Sequence, residues 1–154
     1  MSNALFTKLH GHWQGTSRTW FEPGKLADES PVKGTFAPFL GDAFVRHTYE
    51  STMQGRPRRG EETIAFNAVT GKFEVAWIDS YHMNYGIMMS IGETTERGFI
   101  VRGQYAASAT ESWGWKTVYE LSDDGTLSIT AFNVTPGGEE AKAVETVYRR
   151  AGRD

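Results

Sequence analysis

Turn-forming residues interrupt this chain at short intervals, and that rhythm limits its folds more than any other feature. Pro23-Gly24, Gly41-Asp42, the stretch from Gly55 to Gly60, Thr70-Gly71, Asp123-Asp124-Gly125 and Pro136-Gly137-Gly138 separate segments in which apolar and polar residues alternate. Alternation with a period of two is the mark of a half-buried strand. The pattern predicts ten strands, at roughly 12–20, 32–37, 43–51, 61–68, 72–79, 84–91, 98–105, 114–121, 126–134 and 142–150. Asp124-Gly125 is a tight-hairpin signal. Many strands joined by short connections favour an up-and-down meander. Leu5, Phe6 and Leu9 fall at helical spacing, so residues 4–9 are expected to form a short helix covering an open barrel end. The expected fold is all-β: one antiparallel up-and-down barrel of about ten strands with a short N-terminal helix, a single domain over residues 1–154.

The first strand carries Gly11-His12-Trp13-Gln14-Gly15. Glycines let a strand coil sharply and let other backbone approach closely. A Trp between them is placed to plug one end of a small barrel. A barrel of this size either fills with side chains or holds one small ligand, and that choice is the functional question.

Composition removes several classes of function. The net charge of −3, with both signs interspersed, argues against nucleic-acid binding, which needs a basic face. The chain has no cysteine, hence no disulfide, thiolate metal site or Cys nucleophile. No apolar run approaches the roughly 18 residues of a membrane helix, and no membrane partner is expected. The N-terminal segment is too short and too polar for a secretory signal, so a cytoplasmic location is the expectation. Seventeen glycines, nine Phe, six Tyr and five Trp supply the turn residues and large side chains that a β-rich fold uses.

Alternation assigns the faces of most strands. Trp13, Gly15, Ser17 and Thr19 face inward, as do Val45, His47 and Tyr49. Phe73, Val75, Trp77 and Asp79 share a face; so do Phe99, Val101, Gly103 and Tyr105, and Trp115, Thr117, Tyr119 and Leu121. The segment 84–91 is apolar on both faces and its orientation stays open. The predicted interior is aromatic and also polar, with His47, Tyr49, Asp79, Tyr105, Thr117, Tyr119 and Asn133 on it. Buried polar groups need partners, which points to a hydrated or ligand-filled cavity. The small inward residues of the first strand are expected to leave it room.

The Gly11-His12-Trp13 motif and the closing Val147-Tyr148-Arg149-Arg150 resemble the calycin superfamily of lipocalins, fatty-acid-binding proteins and nitrobindin-like barrels. In calycins an Arg of the last strand packs on the first-strand Trp, a role that falls here to Arg149 or Arg150. The chain is more closely similar to an uncharacterised, mainly bacterial family known as a domain of unknown function. The landmarks are Leu9-x-Gly-x-Trp-x-Gly15, Pro23-Gly24, Leu40 to Phe44, Phe66-Asn67-Ala68, Trp77 to Ser80 and Tyr148-Arg149. The resemblance implies a barrel of about ten strands and no established activity. Nitrobindin-like barrels hold ferric haem through a His on a strand near the C-terminus. The histidines here are His10, His12, His47 and His82, so that ligand is missing from its place. Only His47, Tyr105 or Tyr119 remain as haem ligands, and no cofactor is expected.

The leading expectation is a module binding a small apolar or aromatic ligand, lined by Trp13, His47, Tyr49, Trp77, Asp79, Tyr105, Trp115 and Tyr119. Trp13 is expected to act mainly as the end plug. A second expectation is a barrel enzyme moving a proton on a small cyclic substrate (an isomerase, cyclase, dehydratase or decarboxylase). His47 and Asp79 are its candidate catalytic residues, with Tyr49 or Tyr105 as other partners of His47. The bland reading makes Asp79 a turn residue bonding local backbone and His47 a satisfied core residue. A third expectation is a structural barrel that forms a homodimer through the two-sided apolar segment Tyr85 to Ile91. No metal site is expected, since His10, His12, Asp79 and His82 lack a metal-binding spacing. Arg56-Pro57-Arg58-Arg59 reads as a solvated hairpin tip, with an anion-binding lid as the alternative.

Overall fold

Each strand of the chain pairs antiparallel with its sequence neighbours, and the first strand closes the ring on the last. The computed structural model describes residues 3–152. In chain order the elements are α1 (Ala4–Leu9), β1 (Gly11–Glu22), β2 (Lys25–Phe39), β3 (Phe44–Met53), β4 (Arg56–Asn67), β5 (Lys72–Asp79), β6 (Met83–Thr94), β7 (Gly98–Ala106), β8 (Ser112–Leu121), β9 (Leu127–Val134) and β10 (Glu140–Arg150). The result is a closed ten-stranded barrel with one short helix, as the turn rhythm predicts. No helix among the described residues is long and apolar enough to cross a membrane.

Two strands outrun their sequence signal. β2 begins at Lys25 and β4 at Arg56, well before the expected 32 and 61. Their added residues are mostly polar, so no apolar alternation marks them. They are strand because β1 and β3 pair with them, through Arg18 opposite Glu29 and Ser51 opposite Arg58. Tertiary pairing here overrides local preference.

α1 closes one end. Asn3 caps it by accepting the Leu5 N–H at 2.9 Å. Phe6 and Leu9 turn into the barrel and join Trp13, Phe36, Val45, Ile64, Phe73, Phe99 and Leu127 in the main core. Phe73 stacks on Phe99 at 4.1 Å, and Phe99 on Tyr119 at 4.2 Å. Fully burying each such side chain is worth about 1.5–3 kcal/mol, which holds so short a helix in place. The Trp13 indole N–H donates to the Leu9 carbonyl at 2.8 Å, and the Arg150 guanidinium lies 4.4 Å from its ring. Of the two candidate arginines, Arg150 therefore covers the Trp, and it also bonds the Lys8 and His10 carbonyls at the end of α1.

The first strand does not leave the room expected of its small residues. A Cβ at Gly15 would overlap the Val147 carbonyl, so the space is filled by the backbone of β10. The glycine is needed for close strand approach, not for a cavity. A second, smaller apolar cluster lies toward the end away from α1, built from Met83, Met88, Trp115, Ala131, Ala143 and Val144 with Trp77 and Tyr105 against it. On β6, Met88, Ser90 and Gly92 face inward while Tyr85, Ile87, Met89 and Ile91 face out, which settles the face that alternation left open.

Candidate functional site

Between the two apolar clusters the barrel interior is polar. β3 and β4 run side by side with His47 directly opposite Glu62 and Tyr49 opposite Gly60, and β5 places Asp79 opposite Gly60 from the other side. Two buried networks result.

The first is centred on Glu62. Its Oε1 lies 2.6 Å from His47 Nδ1, and its Oε2 accepts the Tyr119 hydroxyl. A carboxylate oxygen only accepts, so the network places the imidazole proton on Nδ1. His47 Nε2 then accepts the Tyr148 hydroxyl at 2.9 Å. The imidazole lies flat on Phe36, with ring centroids 4.1 Å apart and planes within 6°. Burial, reinforced by the Glu62 charge, pushes both the Tyr119 and the Tyr148 phenols far above their ordinary range. These hydroxyls therefore stay protonated as donors.

The second network is centred on Asp79. Its Oδ2 accepts the Tyr49 hydroxyl and is met by Arg58 Nε and Nη2, each at 3.1 Å. Its Oδ1 accepts the backbone N–H groups of Tyr81 and His82 at 2.7 and 2.9 Å. The Trp77 indole donates to the Tyr49 oxygen at 2.9 Å, and Arg58 Nη1 reaches the Ser17 hydroxyl at 3.4 Å. Burial by itself would raise the Asp79 pKa, but the Arg58 charge and the Tyr49 hydrogen bond outweigh it and hold the carboxyl below its usual value. Burial likewise opposes the Arg58 charge, and Tyr49 and Asp79 overcome it. Tyr49 itself is pushed well up, first by burial and then by the Asp79 charge. Asp79 thus combines the turn role of the bland reading, through Oδ1, with an interior ion pair through Oδ2.

The networks crowd two glycines. A Cβ at Gly34 would overlap the Tyr148 hydroxyl, and one at Gly60 would overlap the Tyr49 ring and hydroxyl. Together the two networks border a cavity of about 50 Å³, lined by Ser17, His47, Tyr49, Arg58, Glu62 and Tyr148 with Trp77 above. At roughly 30 Å³ of liquid volume per water, and with about 10–15 Å³ needed for one water centre, it has room for a few small atoms. Trp77 stacks on Trp115 at 5.4 Å over this cavity, and Tyr105 meets Trp115 edge-on at 6.2 Å. His82 packs beside them, 6.0 Å from Trp77 and 6.1 Å from Trp115, and its buried Nε2 has no hydrogen-bond partner. Burial first, and then the Arg58 charge, lower the His82 pKa to about 4.

The structure redistributes the expected lining. His47, Tyr49 and Trp77 reach the cavity. Asp79 stands behind Tyr49 and Arg58 rather than on the cavity wall. Trp13 packs at the closed end against Phe36 and Tyr148, which makes it the plug. Tyr119 is buried below, occupied by Glu62. Trp115 and Tyr105 belong to the mouth, where the Tyr105 hydroxyl donates to Asn133 at 2.6 Å. The expected pairing of His47 with Asp79, Tyr49 or Tyr105 is replaced by Glu62 and Tyr148, because strand register puts Glu62 opposite His47.

Arg58 and Glu62 lie inside the barrel, and Arg58 is not the solvated tip residue that its charged neighbours suggest. The signal was present: Arg58, Gly60, Glu62, Ile64 and Phe66 share one face by alternation, and Ile64 fixes that face as interior. Charge at 58 and 62 hid the pattern. Haem does not fit these residues. Both His47 nitrogens are engaged, Tyr119 is bound to Glu62, and the cavity is far below the roughly 300–1,000 Å³ of a site for a molecule of that size. Among the described residues no group of three or more His, Cys, Asp or Glu is placed to hold a metal, and His12 points outward to Thr35.

Fold and site together define a class: a closed ten-stranded antiparallel β-barrel, sealed at one end by a helix and a Trp, with two buried polar networks inside it, one hydrogen-bonded around Glu62 and one built on the Arg58–Asp79 ion pair. The chain belongs to the family described as "Protein of unknown function (DUF1579)", whose model matches residues 2–150. The crystal structure of Rv2717c from M. tuberculosis is similar to it, with a TM-score of 0.71 and 17% sequence identity over 96% of both chains. At that identity the likeness concerns the fold. No curated protein matches the chain.

Proposed function

We propose that this calycin-like barrel binds a small molecule at its open end, with an apolar or aromatic body and a compact polar head. One observation carries the reading: a cavity of about 50 Å³ lies below the Trp77–Trp115 stack and is walled by His47, Tyr49, Arg58 and Glu62. A cavity of that size takes a polar group of a few atoms, not a ring. The ring or apolar body then rests against Trp77, Trp115 and Tyr105 at the mouth. Apolar walls with a few converging polar groups are the usual make-up of a small-molecule site. The net charge of −3 supports a small-molecule partner over nucleic acid. Native mass spectrometry of freshly purified protein tests this. The expected result is a retained mass above the 17.2 kDa chain, diminished in Trp115→Ala. A chain that carries nothing, and whose Trp fluorescence ignores a library of small aromatic acids and amides, rules the reading out.

A second reading is proton-transfer catalysis on a small cyclic substrate, favoured by the Glu62–His47–Tyr148 chain. A carboxylate on Nδ1 orients an imidazole, as in general acid–base sites. In this version Glu62 orients His47, and the Tyr148 hydroxyl takes the substrate proton as it passes its own to His47 Nε2, while Asp79 holds Arg58. Turnover lost in His47→Gln, with ligand retention kept, distinguishes catalysis from simple binding.

A further inference from the structure

The outward face of β6 differs from the rest of the barrel surface. From Met83 to Gly92 the strand carries no charged residue. Its outward side chains Tyr85, Ile87, Met89 and Ile91 are 62%, 66%, 60% and 49% exposed, and Ile78 of neighbouring β5 is 45% exposed. Other strands present charge outward, such as Arg59 and Glu61 on β4 or Lys116 and Glu120 on β8.

β6 is also under-supported. It pairs with β7 only from Ser90 to Thr94; before that, Met83, Met88 and Met89 have partners on the β5 side alone, and residues 84–87 have none on either side. A contact of the Tyr85 hydroxyl with the Ala106 carbonyl, at 3.5 Å, spans the gap. Natural sheets protect free edges with charge, proline or cover. This segment has neither charge nor proline, which leaves cover.

Beside the β6 ridge lies a broad concavity of about 1120 Å³ on the outside of the barrel. Ile78, Gly86 and Ile87 form part of its wall, and Lys33, Glu50, Arg59 and Glu61 bring both signs of charge to it. Ridge and groove are adjacent on one surface. A two-fold axis passing through the ridge brings the two β6 ridges together and turns the flanking grooves toward the same contact.

We propose that this face is a homodimer interface, formed by two copies of the chain packing β6 against β6 about a two-fold axis. The groove carries both signs of charge, with Arg59 paired to Glu50 within the chain, whereas a lipid surface prefers a uniformly basic rim. Area supports the same occupant. At the exposures given, the five apolar side chains offer on the order of 500 Å² per copy, so two copies reach the roughly 1,000 Å² at which a specific interface begins. The inference is independent of what the barrel interior binds.

Sedimentation velocity of the full chain across about 1–100 µM is the test. The expected species has twice the 17.2 kDa mass of one chain. Ile87→Glu with Met89→Glu brings like charges together at the axis, and the dimer is expected to give way to monomer with an unchanged far-ultraviolet spectrum. Val69→Glu, at an exposed turn on the β4–β5 connection, is expected to leave the dimer intact. Because the chain has no cysteine, single cysteines at 85, 87, 89 and 91 provide a second reading that does not depend on the charged variant folding. At least one is expected to cross-link two copies under mild oxidation, and Val69→Cys is not. A wild-type monomer at 100 µM overturns the proposal, whether or not it binds anionic vesicles. So does a dimer that survives the double Glu variant in folded form, or cross-linking that is as efficient from position 69.

Discussion

His47 and Glu62 face each other across β3 and β4, with Nδ1 and Oε1 2.6 Å apart inside the barrel. The same carboxylate accepts the Tyr119 hydroxyl with its other oxygen, so one side chain satisfies two buried donors. Glu62→Ala leaves both without an acceptor. The expected loss is about 2–5 kcal/mol. Tyr119→Phe removes a single donor and is expected to cost about 1 kcal/mol. Urea unfolding midpoints of the two variants check this ordering, and equal losses would show that Glu62 is not the shared acceptor.

Arg58 is the buried cation that holds Asp79 ionised. Arg58→Met strands that carboxylate, and about 3 kcal/mol of stability is expected to go at neutral pH. In the variant the folded-state pKa of Asp79 rises above its unfolded value, so the folded state binds the proton more readily. The deficit relative to wild type therefore shrinks as pH falls from 7 toward 4. Paired urea titrations at the two pH values measure it; a deficit that widens toward acid contradicts the assignment.

His82 is half-buried, with its Nε2 sealed from solvent, and its pKa is lowered from 6.5 to about 4. The unfolded chain binds its proton near the ordinary value and the folded chain binds it only near 4. Between those values the unfolded state holds more protons, so stability falls as pH drops from about 6.5 to about 4. The maximal contribution is on the order of 3 kcal/mol. Asp79 acts in the same direction, its stabilisation being lost as pH falls through its lowered pKa. His82→Phe keeps an aromatic beside Trp77 and Trp115 and is expected to flatten the thermal midpoint against pH between about 4 and 6.5. An undiminished slope places the titration elsewhere.

Gly60 gives the Tyr49 ring its space. Gly60→Ala is expected to cost about 1–3 kcal/mol through overpacking and to break the Tyr49–Asp79 contact. In a Tyr49→Leu background the same substitution should cost markedly less. Thermal melts of the four-member cycle read the coupling, and strict additivity would mean that the Cβ meets something other than Tyr49.

The barrel is legible in local pattern. Turn residues set the number of strands, and alternation placed Val45, His47 and Tyr49, or Phe73, Val75, Trp77 and Asp79, on the inner face, because side-chain direction follows a period of two whatever the partner strand. Trp13 as the plug followed from its glycine flanks and from its place beside α1. Tertiary structure decided who meets whom. Arg58 looked like a solvated tip because a charged residue is ordinarily exposed; it is buried because β4 extends to Arg56 in register with β3 and brings it to Asp79. Glu62 pairs with His47 through that same register, and no local pattern encodes register between two strands. Tyr148 reaches His47 over a separation of 101 residues only because β10 closes on β1. The size of the cavity is the residue of all these contacts, set by packing in three dimensions and by no single stretch of chain.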